Sequence, residues 1–258
     1  MPLAVSDLPH RLRRTIELSG KCPRAVMDEF IRLLDILGLR LMEFIPASRS
    51  TLVGTVTDGT DIYVARLPMR PSRAAAYVAE QYGIGGVGPS VIAALGDMIV
   101  MEQVQDSMYL NGRDVPTHLD VIALAGLPAE ESAHVRTFRE WIDRKVEESI
   151  CRAGLHPGGE TILSDIKRLG DVMREWDGSW DIRHGDLSTR NILTSSGGGL
   201  SIIDPESVIG PVEIDALKLF RSCKIPYSTL YENFDNNVLD TYIPFYELTG
   251  KLYTAAYR

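Results

Sequence analysis

The stretch that most limits what this chain can become is His184-Gly185-Asp186-Leu187-Ser188-Thr189-Arg190-Asn191-Ile192-Leu193, with Ile202-Ile203-Asp204-Pro205-Glu206 close behind it. Polar side chains crowd between apolar flanks. On a tight loop, Asp186 and an Asn five residues later can point the same way. A short hairpin, Ile192 to Thr194 and Leu200 to Ile203 turning through Ser195-Ser196-Gly197-Gly198-Gly199, can then return Asp204 beside them. Two carboxylates and an amide form an all-oxygen donor set. Such a set suits a hard cation such as Mg2+, which keeps several waters and shares its shell with substrate phosphates. The expected chemistry is that of phosphate groups.

His-x-Asp-x-x-x-x-Asn followed by an Asp after an apolar strand is also the order of kinase catalytic loops and their metal-binding Asp. With Gly185 between His184 and Asp186, and Asp-Pro-Glu where protein kinases carry Asp-Phe-Gly, the chain resembles the aminoglycoside phosphotransferase and choline kinase-like branch of the kinase superfamily. The resemblance implies an α+β, bilobal protein kinase-like fold, with a small antiparallel-sheet N-lobe over 1–104 and a larger helical C-lobe over 105–258. It implies Asp186 as catalytic base, Asn191 and Asp204 as Mg2+ ligands, and His184, Arg190 and Asp215 as supports of the loop.

Periodicity in the first part is compatible with that small lobe. Leu8 to Leu18 and Arg24 to Leu37 have apolar residues at helical spacing, Val26, Met27, Phe30, Ile31, Leu34 and Leu37 forming one stripe. Leu39 to Ile45, Thr51 to Val56 and Asp61 to Leu67 read as strands, the last two joined by an Asp58-Gly59 hairpin. A helix from Pro71 to about Tyr82, a Gly-rich turn over Gly83 to Gly88, and strands Val91 to Ala94 and Met98 to Val104 follow.

The resemblance then places the nucleotide contacts. Arg66 stands where a strand Lys commonly holds the α- and β-phosphates, and Glu80 stands where a helix Glu pairs with it. Arg in that place gives a broader, bidentate contact than a Lys point charge. No glycine fingerprint covers the phosphates. Ser48-Arg49-Ser50-Thr51 lies where that loop belongs, with Ser48 and Ser50 as candidate contacts. Met101, Glu102 and Val104 fall on the strand leading to the hinge, whose backbone groups bond adenine. The implied cofactors are ATP or GTP, with Mg2+.

Helical spacing resumes in Leu119 to Ala125, in Glu130 to Cys151 (Val135, Phe138, Trp141, Ile142, Val146 and Ile150) and in Ile162 to about Trp176, with Leu163, Ile166, Leu169, Val172 and Met173. Trp141 is read as packing rather than as a ligand platform. Gly210-Pro211-Val212-Glu213-Ile214-Asp215 opens another helix, and two helical segments end the chain, Val238 to Leu248 and Leu252 to Tyr257.

Charge bears on the partners. Lys and Arg balance Asp and Glu up to Val104, so the whole net charge of −8 falls in the remainder. An acidic second half repels nucleic acid and favours a cationic ligand. The expected activity is therefore transfer of a phosphoryl group to a hydroxyl of a small cationic molecule, first an aminoglycoside-type antibiotic. The alternatives are a choline- or homoserine-type metabolite kinase, and a protein kinase-like or pseudokinase nucleotide-binding module. Ser188, where Ser/Thr protein kinases carry Lys, and the lack of an Ala-Pro-Glu segment argue against a protein acceptor. Glu206 to Glu213, Asp235, Asp240 and Glu247 are candidate amine contacts. The opening residues lack a signal-peptide pattern and no apolar run is long enough to span a bilayer, so the expected location is the cytoplasm, without membrane contact. Cys22, Cys151 and Cys223 are expected to be buried thiols, and His10, His118, His134 and His156 surface or cap residues.

Overall fold

The computed structural model describes residues 7–18, 21–45, 51–69, 73–104, 108–110, 115–129, 135–178, 180–195 and 199–255. Ser48, Ser50, His134 and the centre of the 195–199 turn lie outside them. The chain divides into two compact units, Met1–Met108 with Leu193–Ile203, and Tyr109–Ile192 with Asp204–Arg258. The segment from Leu193 to Ile203 thus groups with the first unit, although chain order alone assigns it to the second.

In the first unit, helices α1 (His10–Leu18) and α2 (Pro23–Ile36) precede strands β1 (Arg40–Phe44), β2 (Thr51–Thr57), β3 (Ile62–Pro68), β4 (Val91–Leu95) and β5 (Met98–Glu102), with helix α3 (Arg73–Ile84) between β3 and β4. The sheet order is β1-β2-β3-β5-β4, and its four pairings are antiparallel. Both faces are covered, as the alternation of β5 records. Met98 and Val100 join the core built on Leu12, Met27, Phe30 and Leu34 of the opening helices. Ile99 and Met101 turn the other way and pack with Ala79 of α3. A strand buried on both faces reads as a continuous apolar run, which is what Met98 to Met101 shows. The β2–β3 turn is closed by Asp58, whose Oδ1 accepts from the backbone N–H of Thr60 (2.8 Å) and Asp61 (2.9 Å), while Gly59 takes φ 105°. β5 ends at Glu102 rather than Val104.

β6 (Met108–Tyr109) leads to α4 (Val115–Leu124), α5 (Phe138–Ala153) and α6 (Gly159–Arg174). β7 (Ile182–Arg183), a 3-10 turn (Thr189–Asn191), β8 (Ile192–Thr194), β9 (Leu200–Ile202) and β10 (Val208–Ile209) come next, and then α7 (Glu213–Cys223), α8 (Ser228–Tyr231) and α9 (Asn236–Ala255). α5, α6 and α9 bury Trp141, Ile142, Val146, Ile166, Leu169, Met173, Tyr242 and Phe245. Gly170 permits their close approach, since a Cβ there would meet Val146 at 3.2 Å and Ile142 at 3.4 Å.

Several sequence readings shift here. α5 starts at Phe138, not at Glu130, because Arg136 forms a bridge with Val208 and Thr137 is extended (φ −66°, ψ 160°). Thr137 Oγ1 accepts from the Glu140 N–H while the Glu140 carboxylate accepts from the Thr137 N–H, a capping box that satisfies two otherwise orphaned donors. Ile150 and Val172, assigned to buried stripes, are 48% and 47% exposed. Each occurs where a 3.6-residue period has drifted off the packed face. The two terminal helical segments are one helix, α9, which runs through Pro244 and Gly250. Proline removes a hydrogen bond, yet Tyr242 and Phe245 are buried on either side of it, and tertiary packing overrides local propensity. Cys22 and Cys151 are exposed and only Cys223 is buried. His118 is buried as well, its Nε2 3.2 Å from Cys223 Sγ. This corrects its reading as a surface residue.

Candidate active site

The second unit holds the loop at Asp186, and α7 fixes it. Gly185 has φ 77°, and a Cβ there would lie 3.2 Å from Val208 Cγ1 and 3.4 Å from Glu206 Cβ. Glycine is therefore required for both backbone conformation and space. The turn aims the N–H groups of His184 and Gly185 at the two oxygens of Asp215, at 2.9 Å and 2.8 Å. Asp215 is wholly buried. Burial pushes its carboxyl above the ordinary range, and the His184 ring and the two N–H bonds offset part of that rise.

His184 is buried and acts as a junction. Its Nδ1 accepts from the Asp186 N–H at 3.2 Å. Its carbonyl accepts from the N–H of Glu206 (2.8 Å) and Ser207 (3.0 Å), joining the loop to the segment after Asp204. Farther along, Asn191 Nδ2 donates to the Asp186 carbonyl at 2.8 Å, and the Thr189 N–H donates to Ser222 Oγ at 3.0 Å. Arg190 is exposed on the 3-10 turn.

Asp186 itself is ion-paired with Lys218 of α7. Packing around Asp186 works to raise its pKa, but Lys218 outweighs it, aided by His184 and Lys145, and the carboxyl settles below its usual range. For Lys218, burial works downward and Asp186 upward, and Asp186 prevails. Beside this pair, Lys145 of α5 lies 3.3 Å and 3.4 Å from the Glu206 oxygens, which also pair with Arg144. Lys145 Nζ stands 5.1 Å from the Trp141 ring centroid. Burial, then repulsion by Arg144 and Lys218, hold Lys145 well below the usual lysine range.

The donor set suits a hard cation. With its nitrogen committed to the Asp186 carbonyl, Asn191 has its oxygen left for a metal. Asp204 has φ 60°, a left-handed conformation that Asp tolerates and that concentrates at functional sites. Among the described residues no group of three or more His, Cys, Asp or Glu could cage an ion. A cation held by Asn191 and Asp204 would draw the rest of its shell from water and phosphate, as Mg2+ does.

In the first unit Arg66 lies on β3 between Val53 and Ile99 and is only 4% exposed. Glu80 is exposed on α3. Met101 is buried, Glu102 is exposed with its N–H already given to the Ser90 carbonyl (3.0 Å), and Val104 is half-buried beyond the strand.

The sequence reading missed Lys218, Lys145 and Arg144. Lys218 was within reach, since Asp215, Lys218 and Ser222 recur at helical spacing on one face of α7. Lys145 and Arg144 are far from the loop in sequence and carry no such signal. The candidate amine contacts prove to be largely engaged. Glu206 serves Arg144 and Lys145, Glu213 is buried and accepts from the Asp235 N–H (3.0 Å), Asp240 accepts from Tyr231 Oη (2.9 Å), and Asp235 Oδ1 accepts from the Asn237 N–H (2.8 Å).

An antiparallel sheet with a helix between its third and fourth strands, a helical unit, and an Asp loop braced by a buried Asp define a protein kinase-like, bilobal fold. Solved structures share it. Choline kinase LicA from Streptococcus pneumoniae superposes with a TM-score of 0.63 at 14% identity, over 90% of this chain and 89% of that one. A choline/ethanolamine kinase family protein from Mesorhizobium loti gives 0.58 at 13% identity, over 84% and 77%. The AMP-bound spectinomycin phosphotransferase APH(9)-Ia gives 0.55 at 14% identity, over 88% of each chain. This chain has the fold of the aminoglycoside phosphotransferase and choline kinase-like enzymes. No protein-family model matches the sequence, and no curated protein sequence matches it. No helix among the described residues is long and apolar enough to cross a membrane.

Proposed function

We propose that the chain is an ATP- or GTP-dependent O-phosphotransferase acting on a small hydroxyl-bearing molecule. The observation that carries this reading is the fixing of the Asp186 loop. Two N–H bonds to buried Asp215, the His184 junction and the Asn191 amide fix the backbone that carries Asp186 and Asn191. Asp186 would accept the acceptor hydroxyl's proton as its oxygen bonds to the γ-phosphorus and the bond to the nucleotide's bridging oxygen breaks, releasing the diphosphate. A depressed carboxyl suffices because a loose phosphoryl transition state needs positioning more than a strong base. Mg2+, when bound at Asn191 and Asp204, would supply neutralisation of the phosphate charge.

Names of structural neighbours, choline kinase and spectinomycin phosphotransferase among them, support a small-molecule acceptor. The acid surplus of the later half supports a cationic one, aminoglycoside first and choline- or homoserine-type metabolites next. The residues touching Asp186 do not continue that trend. The test is Asp186→Asn, which keeps the shape and the Asn191 contact to the main chain. Turnover should fall by about 10² or more, as loss of a positioned general base does, with nucleotide binding retained. A pseudokinase would bind nucleotide and transfer nothing in either form, and unchanged turnover would remove Asp186 from the reaction.

A further inference from the structure

We propose that Lys218 is a positioning residue for the phosphoryl transfer, holding one carboxylate oxygen of Asp186 so that the other is presented to the acceptor hydroxyl. Asp215, Lys218 and Ser222 stand three and four residues apart on α7, a spacing that puts them on one helix face. Each serves the loop at a different point, in chain order. Asp215 accepts from the His184 and Gly185 N–H groups, Lys218 donates to Asp186 Oδ1, and Ser222 Oγ accepts from the Thr189 N–H. The bonds to Asp215 and Ser222 come from the loop's main chain. Lys218 alone of the three grips a loop side chain, and that side chain is the one assigned to the reacting hydroxyl.

The main chain of Asp186 is pinned from both sides, its N–H donating to His184 Nδ1 (3.2 Å) and its carbonyl accepting from Asn191 Nδ2 (2.8 Å). What is left free is rotation about the side chain's own bonds. Among the described residues, Lys218 Nζ is the one hydrogen-bond donor to the carboxylate, and Oδ2 has no protein partner. One oxygen held and one open leaves the base a single orientation. Given the kinase reading, on which this role rests, Oδ2 takes the hydroxyl proton as the hydroxyl oxygen bonds to the γ-phosphorus and the nucleoside diphosphate leaves. Stability is the weaker account of the pair. The Asp186 side chain is 44% exposed and that of Lys218 21%, and ion pairs in contact with solvent add little to folding. Removing Lys218 leaves the loop's main-chain bonds to Asp215, His184, Asn191 and Ser222 in place and releases the carboxylate. Because the ammonium is matched by the carboxylate it holds, the role asks nothing of the acceptor's charge.

The experiment is a double-mutant cycle on the full chain with Mg2+ and γ-labelled ATP. Kanamycin, spectinomycin, choline, homoserine and water are offered as acceptors, and the one turned over fastest is used for kcat and KM. Lys218→Met keeps the stem without the charge. It should lower kcat by up to about 10²-fold, as a misplacement on the order of 1 Å does, with both KM values unchanged, and Lys218→Arg should restore most of the loss. In an Asp186→Asn background Lys218→Met should cost nothing further, because a residue that acts through Asp186 then has nothing to act on. A lysine that is only structural, or that binds the nucleotide, costs the same factor in both backgrounds, and that additivity overturns the proposal. Unchanged kcat, or a rise in either KM without a fall in kcat, overturns it too. Lys218→Gln repeats the cycle, so that misfolding of the methionine variant, read as loss of ATP binding by calorimetry, leaves the comparison intact. These failures touch Lys218 alone, whereas a wild type that passes label to no acceptor, water included, overturns the kinase reading with it.

Discussion

Asp215 offers the sharpest physical test of how the loop is built. Its two oxygens are the acceptors recorded for the N–H groups of His184 and Gly185, and all three residues are buried. Asp215→Ala removes both acceptors at once. A buried donor left without a partner costs about 1–3 kcal/mol, so the pair costs about 2–6 kcal/mol. Because burial already disfavours the ionised carboxylate, its removal returns some of that cost, and the lower half of the range, about 2–4 kcal/mol, is expected. The midpoint of thermal unfolding should fall by about 4–16 °C at about 2–4 °C per kcal/mol. Asp215→Asn keeps one oxygen acceptor and should lose about half as much. Trp141, Trp176 and Trp180 all lie in the second unit, so urea denaturation followed by tryptophan fluorescence reports on that unit. The pH dependence carries a sign. With the folded carboxyl raised above its unfolded value, its contribution is fully present below the unfolded pKa and is lost as pH rises through the raised folded value. The advantage of the wild type over Asp215→Asn should therefore be greatest at the acid end and shrink toward neutrality. An alanine variant that unfolds within about 0.5 kcal/mol of wild type, the range of an ordinary surface change, would refute the bracing role.

Two other substitutions probe separate parts of the fold. Thr137→Ala breaks the capping box of α5 and should cost about 1 kcal/mol, read as a shift in denaturation midpoint with unchanged slope. Asp204→Asn retains a residue that tolerates the left-handed backbone while removing a charge from the proposed cation site. Calorimetry should show nucleotide affinity that no longer responds to Mg2+, with stability nearly that of wild type; a preserved Mg2+ response would take Asp204 out of the cation site.

Much of this protein was legible along the chain because the relevant physics is local. Strand and helix periods, the Asp58-Gly59 turn, the glycine in the His184–Asp186 turn and the order of Asp186, Asn191 and Asp204 depend on near neighbours in sequence. Asp215, Lys218 and Ser222 share a helix face by period alone, so the loop's support could be read as well, although Lys218 was not singled out. Errors arose where distant packing overrode local preference, as in α9 running through Pro244, α5 waiting for Thr137, and His118 buried against Cys223.

What sequence by itself determined is the kind of site: oxygen donors in a fixed order on a glycine-turned loop, in a chain with an antiparallel sheet followed by helices. What only tertiary structure decided is the electrical setting of that site. Lys145 and Arg144 approach Glu206 from a helix some sixty residues earlier. Net charge counts every carboxylate equally, whereas electrostatic interaction falls with distance and rises with burial, so the sign felt at Asp186 depends on which side chains folding brings together.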